Sequence, residues 1–300
     1  MLADVCIVKS TYGEDLHNNL KKCIELCGGL DIGSGDSVII KINLCDFRPP
    51  ETGAITHPFF LNALLAYLRS NFRNLKIKVI ESDATSTDAD LLAKWFGFLS
   101  IINKWDAKWV NLSKTTFFEK EIHGRHFKVM KVSEIFRDEH FFISLAKLKT
   151  HSITKISCAL KNQFGCIPEK RKIKFHSSLD DVIVDANLAM PPNFCIVDGI
   201  IGLGGARGPA WGPPIYSNLI IAGPDPVSTD AVCAKIMGFH PIFIGHIRKA
   251  EASGIGSTKY KILGEKLTSI KVDFCFNKKE WIFFRLANYL SERAKKRYRV

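Results

Sequence analysis

Six short apolar runs constrain this chain more than any other feature: DVCIVK (4–9), SVIIKINL (37–44), LKIKVIES (75–82), HFFISLA (140–146), NFCIVDG (193–199) and SNLIIAG (217–223). Each is too short for a buried helix and rich in Ile, Val or Phe, the pattern of strands covered on both faces. Segments with apolar residues at helical spacing lie between them. Leu16, Leu20, Ile24 and Cys27 mark one such helix, ended by Gly28 and Gly29. Thr56 or His57 can cap a second, with Pro58 in its first turn, and a third spans 88–98. SLDDVIVDANL is helical in pattern, with Ser177 or Ser178 as cap, and Asp225 and Pro226 open a helix stopped by Gly238. A shorter helix over 241–253 carries His246.

Strand, loop and helix units in succession, without an internal repeat, predict an α/β fold. Its core is a single central, mostly parallel sheet flanked by helices, in one domain over 1–277. Alternation between Trp105 and Val132, with IHGRHF at the turn, predicts a small β-hairpin insertion. His123 and His126 fall at that turn and read as a solvated tip rather than a metal pair. A helix is expected over about 153–164, burying Ile153, Ile156, Leu160 and Phe164 and turning Thr154, Lys155, Lys161 and Asn162 away from the core. Residues 278–300 predict a basic amphipathic C-terminal helix with Trp281, Phe284 and Leu290 on one face.

The net charge of +12 is concentrated in two places. Residues 147–176 hold eight Lys or Arg against Glu169 alone, and 278–300 hold eight against Glu280 and Glu292, which leaves the rest of the chain at about −1. In the first region the cations alternate with Thr150, His151, Thr154 and Asn162, groups that give direction to an anion where lysine gives only charge. The N-terminus lacks a basic head followed by an apolar run, and no window approaches 18 uncharged apolar residues, so a cytoplasmic protein is expected. Nine cysteines in mostly apolar surroundings, with no CxxC, suit reduced core thiols and argue against an intrinsic iron–sulfur cluster or zinc site.

Polar groups recur where the predicted strands end, which is where open α/β sheets place ligands. Lys41 and Asn43 close one strand, Lys149, Thr150 and His151 follow another, and a loop rich in Gly and Pro over 200–214 follows Asp198 and Gly199. These residues predict an enzyme that binds an anionic small molecule, a carboxylate or phosphate. His151 and His57 are the candidate general acids or bases, and Lys149 and Lys161 would stabilise developing negative charge. The expected ligand-binding residues are Lys41, Asn43, Thr56, Thr150, Asn162, Gly165, His176, Asp198, Gly204, Gly205, Gly208 and Asp230. Asp198 or Asp230, with His57, His151 and His176, would be the side chains for a divalent metal. Two alternatives use the basic regions instead. One is nucleic-acid binding, weakened by the few aromatic residues near the basic stretch. The other is an accessory protein held peripherally on a membrane by residues 278–300.

Several of these motifs fall in a familiar order. Lys41-x-Asn43, Thr56-His57-Pro58, Lys147-x-Lys149-Thr150-His151, Ala159-Leu160-Lys161-Asn162 with Gly165, His176, Asp198-Gly199, the glycines of the following loop, and Asp225-Pro226-Val227 with Asp230-Ala231 resemble the family catalogued as domain of unknown function 362. The resemblance covers about residues 37–256. Members often carry ferredoxin-like modules with four-iron clusters, fused or nearby. This chain lacks the cysteine spacing for one, so the resemblance implies a separate ferredoxin-type redox partner.

Overall fold

In the computed structural model, residues 2–274 are described. The predicted C-terminal helix over 278–300 lies outside them. The chain runs β1 (Ala3–Lys9), α1 (Leu16–Leu26), β2 (Ser37–Lys41), α2 (Pro58–Asn71), β3 (Lys76–Glu81), α3 (Ala89–Trp95), α4 (Phe98–Lys104), β4 (Lys108–Asn111), β5 (Phe117–Glu121), β6 (Val129–Ser133) and β7 (Phe141–His151). It continues through β8 (Lys155–Ser157), α5 (Ala159–Asn162), α6 (Leu179–Ala189), β9 (Phe194–Leu203), β10 (Pro214–Gly223), α7 (Pro226–Ile236), α8 (Gly245–Ala252) and β11 (Tyr260–Gly264). Each of the six apolar runs supplies a strand to one nine-stranded sheet, ordered β11-β1-β10-β9-β7-β2-β3-β4 with β8 folded back on β7. Only β10 and β8 run against their neighbours, so the sheet is mostly parallel, as the alternating units predict.

Alternate residues of each strand feed two cores, one per face. Val38, Ile40, Ile77, Val79, Ile143 and Leu145 pack against α1, α2, α3 and α4 on one side. Ile39, Ile80, Phe142, Ala146 and Val197 pack against α5, α6, α7 and α8 on the other. The hairpin of β5 and β6 forms as expected. Its loop is held by the Asp185 carboxylate, which accepts the N–H groups of Arg125, His126 and Phe127 at 2.7 Å each.

The helix expected over 153–164 does not form. The strand β7 runs on to His151, reverses through a turn in which Lys155 takes φ +68°, and returns as β8 before the four-residue α5. Ile156, Leu160 and Phe164 are buried as the apolar spacing suggests, but Ile153 is 45% exposed on the turn. The β-branched Ile156 at the centre of β8 favours the returning strand. The cap of α2 is His57, whose Nδ1 accepts the Phe59 N–H at 3.2 Å, and Asp225 caps α7 through the N–H groups of Val227 and Ser228.

Candidate functional site

The parallel neighbours β7, β2 and β3 end at the same edge of the sheet, and they deliver Lys149, Lys41 and Glu81 there. Lys41 is fully buried, with Nζ 2.7 Å from Glu81 Oε1 and a hydrogen bond of 2.7 Å to the Ile42 carbonyl. The Glu81 carboxylate also accepts the N–H groups of Leu44 and Ser82. A Cβ at Gly165 would stand 2.5 Å from Lys41 Nζ and 2.8 Å from Glu81 Oε1, so only glycine lets the turn after α5 lie over this pair.

Asn162 knits the strand ends together. Its Nδ2 donates to the Lys41 carbonyl at 3.0 Å and to Ser144 Oγ at 3.1 Å, and its Oδ1 accepts from Asn43 Nδ2 at 3.4 Å. Asn43 in turn accepts from Lys149 Nζ at 2.8 Å. Lys149, 1% exposed, also donates to the Ala54 carbonyl at 2.7 Å and meets Cys45 Sγ at 3.1 Å. Among the described residues none of its hydrogen-bond partners is a carboxylate. Lys161 is half-buried one residue before Asn162. Among the described residues its ammonium makes no hydrogen bond or ion pair and passes only over the Phe164 ring, 5.3 Å from the centroid. Burial, followed by repulsion from Lys149 and Lys41, brings the Lys161 pKa down to about 8.

These groups line a cavity of about 300 Å³. Lys172, from the 3-10 segment after the turn, joins them, donating to Ser82 Oγ and the Asp83 carbonyl at 2.8 Å each. Burial holds its pKa near 8 against the pull of Glu81, with Lys41 adding to the depression. Four lysines, Lys41, Lys149, Lys161 and Lys172, face the cavity against two carboxylates, Glu81 and Asp83. His151 lies in its wall, and Nδ1 accepts the N–H groups of Ile153 at 3.1 Å and Thr154 at 3.3 Å. Burial, then Lys161 and Lys149, pushes its pKa well below the usual histidine value. The neutral ring therefore carries its proton on Nε2 and acts as a donor. His176 stands exposed at the mouth.

The position of α5 is set from another helix. Asp230 of α7 is fully buried and accepts the N–H groups of Ala159 at 2.7 Å and Leu160 at 3.2 Å, the first two residues of α5. His246 approaches the same carboxylate at 3.7 Å. Asp230 thus acts on Lys161 and Asn162 through the backbone, without lining the cavity.

Other expected site residues serve elsewhere. Asp198 pairs with Lys147 at 2.7 Å, and both oxygens accept from Tyr12 Oη at 2.8 Å. Lys147 and Asp198 have no exposed side-chain surface. The His57 ring stacks on Tyr12 at 3.8 Å, its backbone N–H donates to Asp198, and burial lowers its pKa. Thr56 Oγ1 accepts the Asn43 N–H at 2.8 Å, fixing that loop. Thr150 Oγ1 donates to the Gly205 carbonyl at 2.6 Å, which ties β7 to the loop between β9 and β10. Gly204, Gly205 and Gly208 shape that loop, and Gly208 lies so close to β7 that a Cβ would sit 2.0 Å from the Thr150 carbonyl. The next residue, Pro209, reaches the cavity wall. Among the described residues no three His, Cys, Asp or Glu side chains come together as a metal site.

Of the expected residues, then, the cavity gathers Lys41, Asn43, Lys149, His151, Lys161, Asn162, Gly165 and His176. It adds Cys45, Glu81, Ser82, Asp83 and Lys172, which the sequence reading passes over. The sequence ESD closes the β3 strand where Lys41 closes β2, so the rule that picked out Lys41 applies equally to Glu81.

Comparison with known proteins gives this chain a family. One relative, the "Thylakoid-associated protein sll1697" of Synechocystis sp. (strain ATCC 27184 / PCC 6803 / Kazusa), is 26% identical over 269 residues, covering 86% of this chain and 82% of its own length. Among solved structures, the lactate racemase apoprotein from Thermoanaerobacterium thermosaccharolyticum aligns with a TM-score of 0.38 at 13% identity, over 79% of this chain. The present chain spans only 57% of that protein. Residues 38–235 match the family described as domain of unknown function (DUF362), a span that holds every cavity-lining residue named above, and the chain belongs to that family.

Proposed function

We propose that this protein binds the anionic group of a small molecule, a carboxylate or a phosphate, in the cavity where β2, β3 and β7 end, and that it acts there as an enzyme. The observation that carries the reading is Lys161. Among the described residues the half-buried Lys161 ammonium has no hydrogen-bond acceptor and Lys149 has no carboxylate partner, an arrangement that an incoming anion complements. The Nε2–H of His151 supplies direction, and Lys149 and Lys161 supply charge to an oxyanion or to charge that develops on one during reaction. In this reading His151 binds and orients, because its Nδ1 lone pair is already committed to two backbone donors.

Isothermal titration of the full chain with inorganic phosphate and with acetate tests it. At least one anion binds the wild type, and Lys161→Met weakens that binding tenfold or more while the melting temperature holds or rises. Failure of both anions to bind the wild type, or equal binding by the variant, overturns the proposal.

A second reading, peripheral attachment to a membrane through residues 278–300, is favoured by their eight cations against two acids and by the name of the thylakoid-associated relative. Flotation with anionic liposomes, with and without those residues, decides it: a chain that floats equally well without them does not use them as an anchor.

A further inference from the structure

The wall of the cavity is of two kinds. Its polar groups include Lys41, Asn43, Glu81 and Lys149 at the strand ends, Lys161 and Asn162 of α5, and Lys172. The cavity is also lined by Ile153, from the turn between β7 and β8, and Ile173, from the 3-10 segment Lys172–Ser178. Ile153 is 45% and Ile173 58% exposed, and Phe164 and Pro209 continue the same apolar lining. Single exposed aliphatic residues are ordinary on a protein surface. Here two of them, twenty residues apart in sequence and on separate segments, converge on one concavity with an aromatic ring and a proline. A bare hydrated anion gives such side chains nothing to cover. The volume, about 300 Å³, lies at the lower end of small-molecule pockets and well above what a four- or five-atom oxyanion occupies.

We infer that the ligand is a small amphiphile: an oxyanion head held by Lys161 and Lys149, with an aliphatic portion lying between Ile153 and Ile173. This rests on the anion reading above and adds the chemistry of the rest of the ligand. Carboxylates and phosphate monoesters share the required head, and both enter the test.

Affinities of the full chain are measured for acetate, butanoate, hexanoate and octanoate, and for the corresponding methyl to octyl phosphates. Within whichever head class binds, each added methylene tightens binding about threefold to fourfold until the apolar wall is covered. Ile153→Ser combined with Ile173→Ser flattens that slope. Leu91→Ser, which removes an exposed leucine on α3 away from the cavity, leaves it as in the wild type. Lys161→Met weakens every member of a series by a similar factor. A flat chain-length series in the wild type, or a slope that survives the double isoleucine variant, overturns the inference and leaves the anion site standing. Failure of the shortest members to bind at all, or long members that bind Lys161→Met as tightly as the wild type, instead overturns the anion reading on which it rests.

Discussion

Lys147 and Lys149 sit two residues apart on one strand, and each is 1% exposed, yet they belong to different kinds of region. Lys147 meets Asp198 and Tyr12 in a cluster in which neither Lys147 nor Asp198 has exposed side-chain surface. Among the described residues Lys149 meets an amide, a backbone carbonyl and a thiol but no carboxylate, and it opens with Lys161 onto a cavity. A register shift between β7 and β9 falls between the two lysines and separates their surroundings. The first region is charge already neutralised, which is scaffolding. The second is charge left over, which suits a ligand. A count of lysines treats them alike, and only their acceptors tell them apart.

The widest test of that contrast is stability. Lys147→Met strands Asp198 in the interior and should cost about 3–5 kcal/mol, read by urea denaturation. Lys161→Met removes a cation that makes no hydrogen bond or ion pair among the described residues, and it should be neutral or stabilising. Equal losses in the two variants would erase the distinction between the regions.

A smaller effect is expected at Gly165→Ala. The new methyl must displace Lys41 Nζ or Glu81 Oε1, which are tied to each other and to backbone groups. A loss of about 1–3 kcal/mol is expected by thermal or urea unfolding, with weaker phosphate or acetate binding because the strand ends shift. A variant as stable as the wild type would show that the Lys41–Glu81 pair is freer to move than its hydrogen bonds imply.

The finest test is pH. With its pKa lowered to about 8, Lys161 loses its charge as pH rises through 8, so anion affinity should fall over that window. Lys172, also near 8, acts in the same direction. Stability of the ligand-free protein should move the opposite way. Between pH 8 and the ordinary lysine value of 10.5 the unfolded chain binds more protons at these positions than the folded one, so stability gains with rising pH there. Binding above pH 8 should accordingly take up protons, visible by calorimetry in buffers of different ionisation enthalpy. Affinity that is flat from pH 7 to 9.5 would remove Lys161 from the binding site.

The sheet was legible because its information is local: runs such as SVIIKINL and LKIKVIES are apolar over a strand's length and end in polar residues. The same rule picked out Lys41, Asn43 and Lys149, which the structure brings to one cavity. The segment after His151 was less legible. Ile153, Ile156, Leu160 and Phe164 follow helical spacing, but the outcome was decided by pairing of Lys155–Ser157 with the end of β7, a contact that periodicity does not encode. The roles of the acids were hidden for a related reason. Asp198 lies beside a glycine-rich loop and Asp230 in a helix's first turns, both plausible sites in sequence. Which cation or N–H group each one meets depends on residues as far away as Tyr12 and Ala159. Lys172 was counted as one charge among many, whereas its burial against Ser82 makes it part of the wall.

The reversed strand β10 has one further consequence. Because it runs antiparallel beside β9, residues 204–213 connect two adjacent strands at the edge where the cavity opens, with no helix needed to cross the sheet. Connections of that sort tolerate changes of length and sequence better than crossovers do. A substitution confined to Pro209 should therefore change the rim of the cavity while the lysines beneath stay where they are, because Thr150 and Gly208 hold the rest of the stretch against β7.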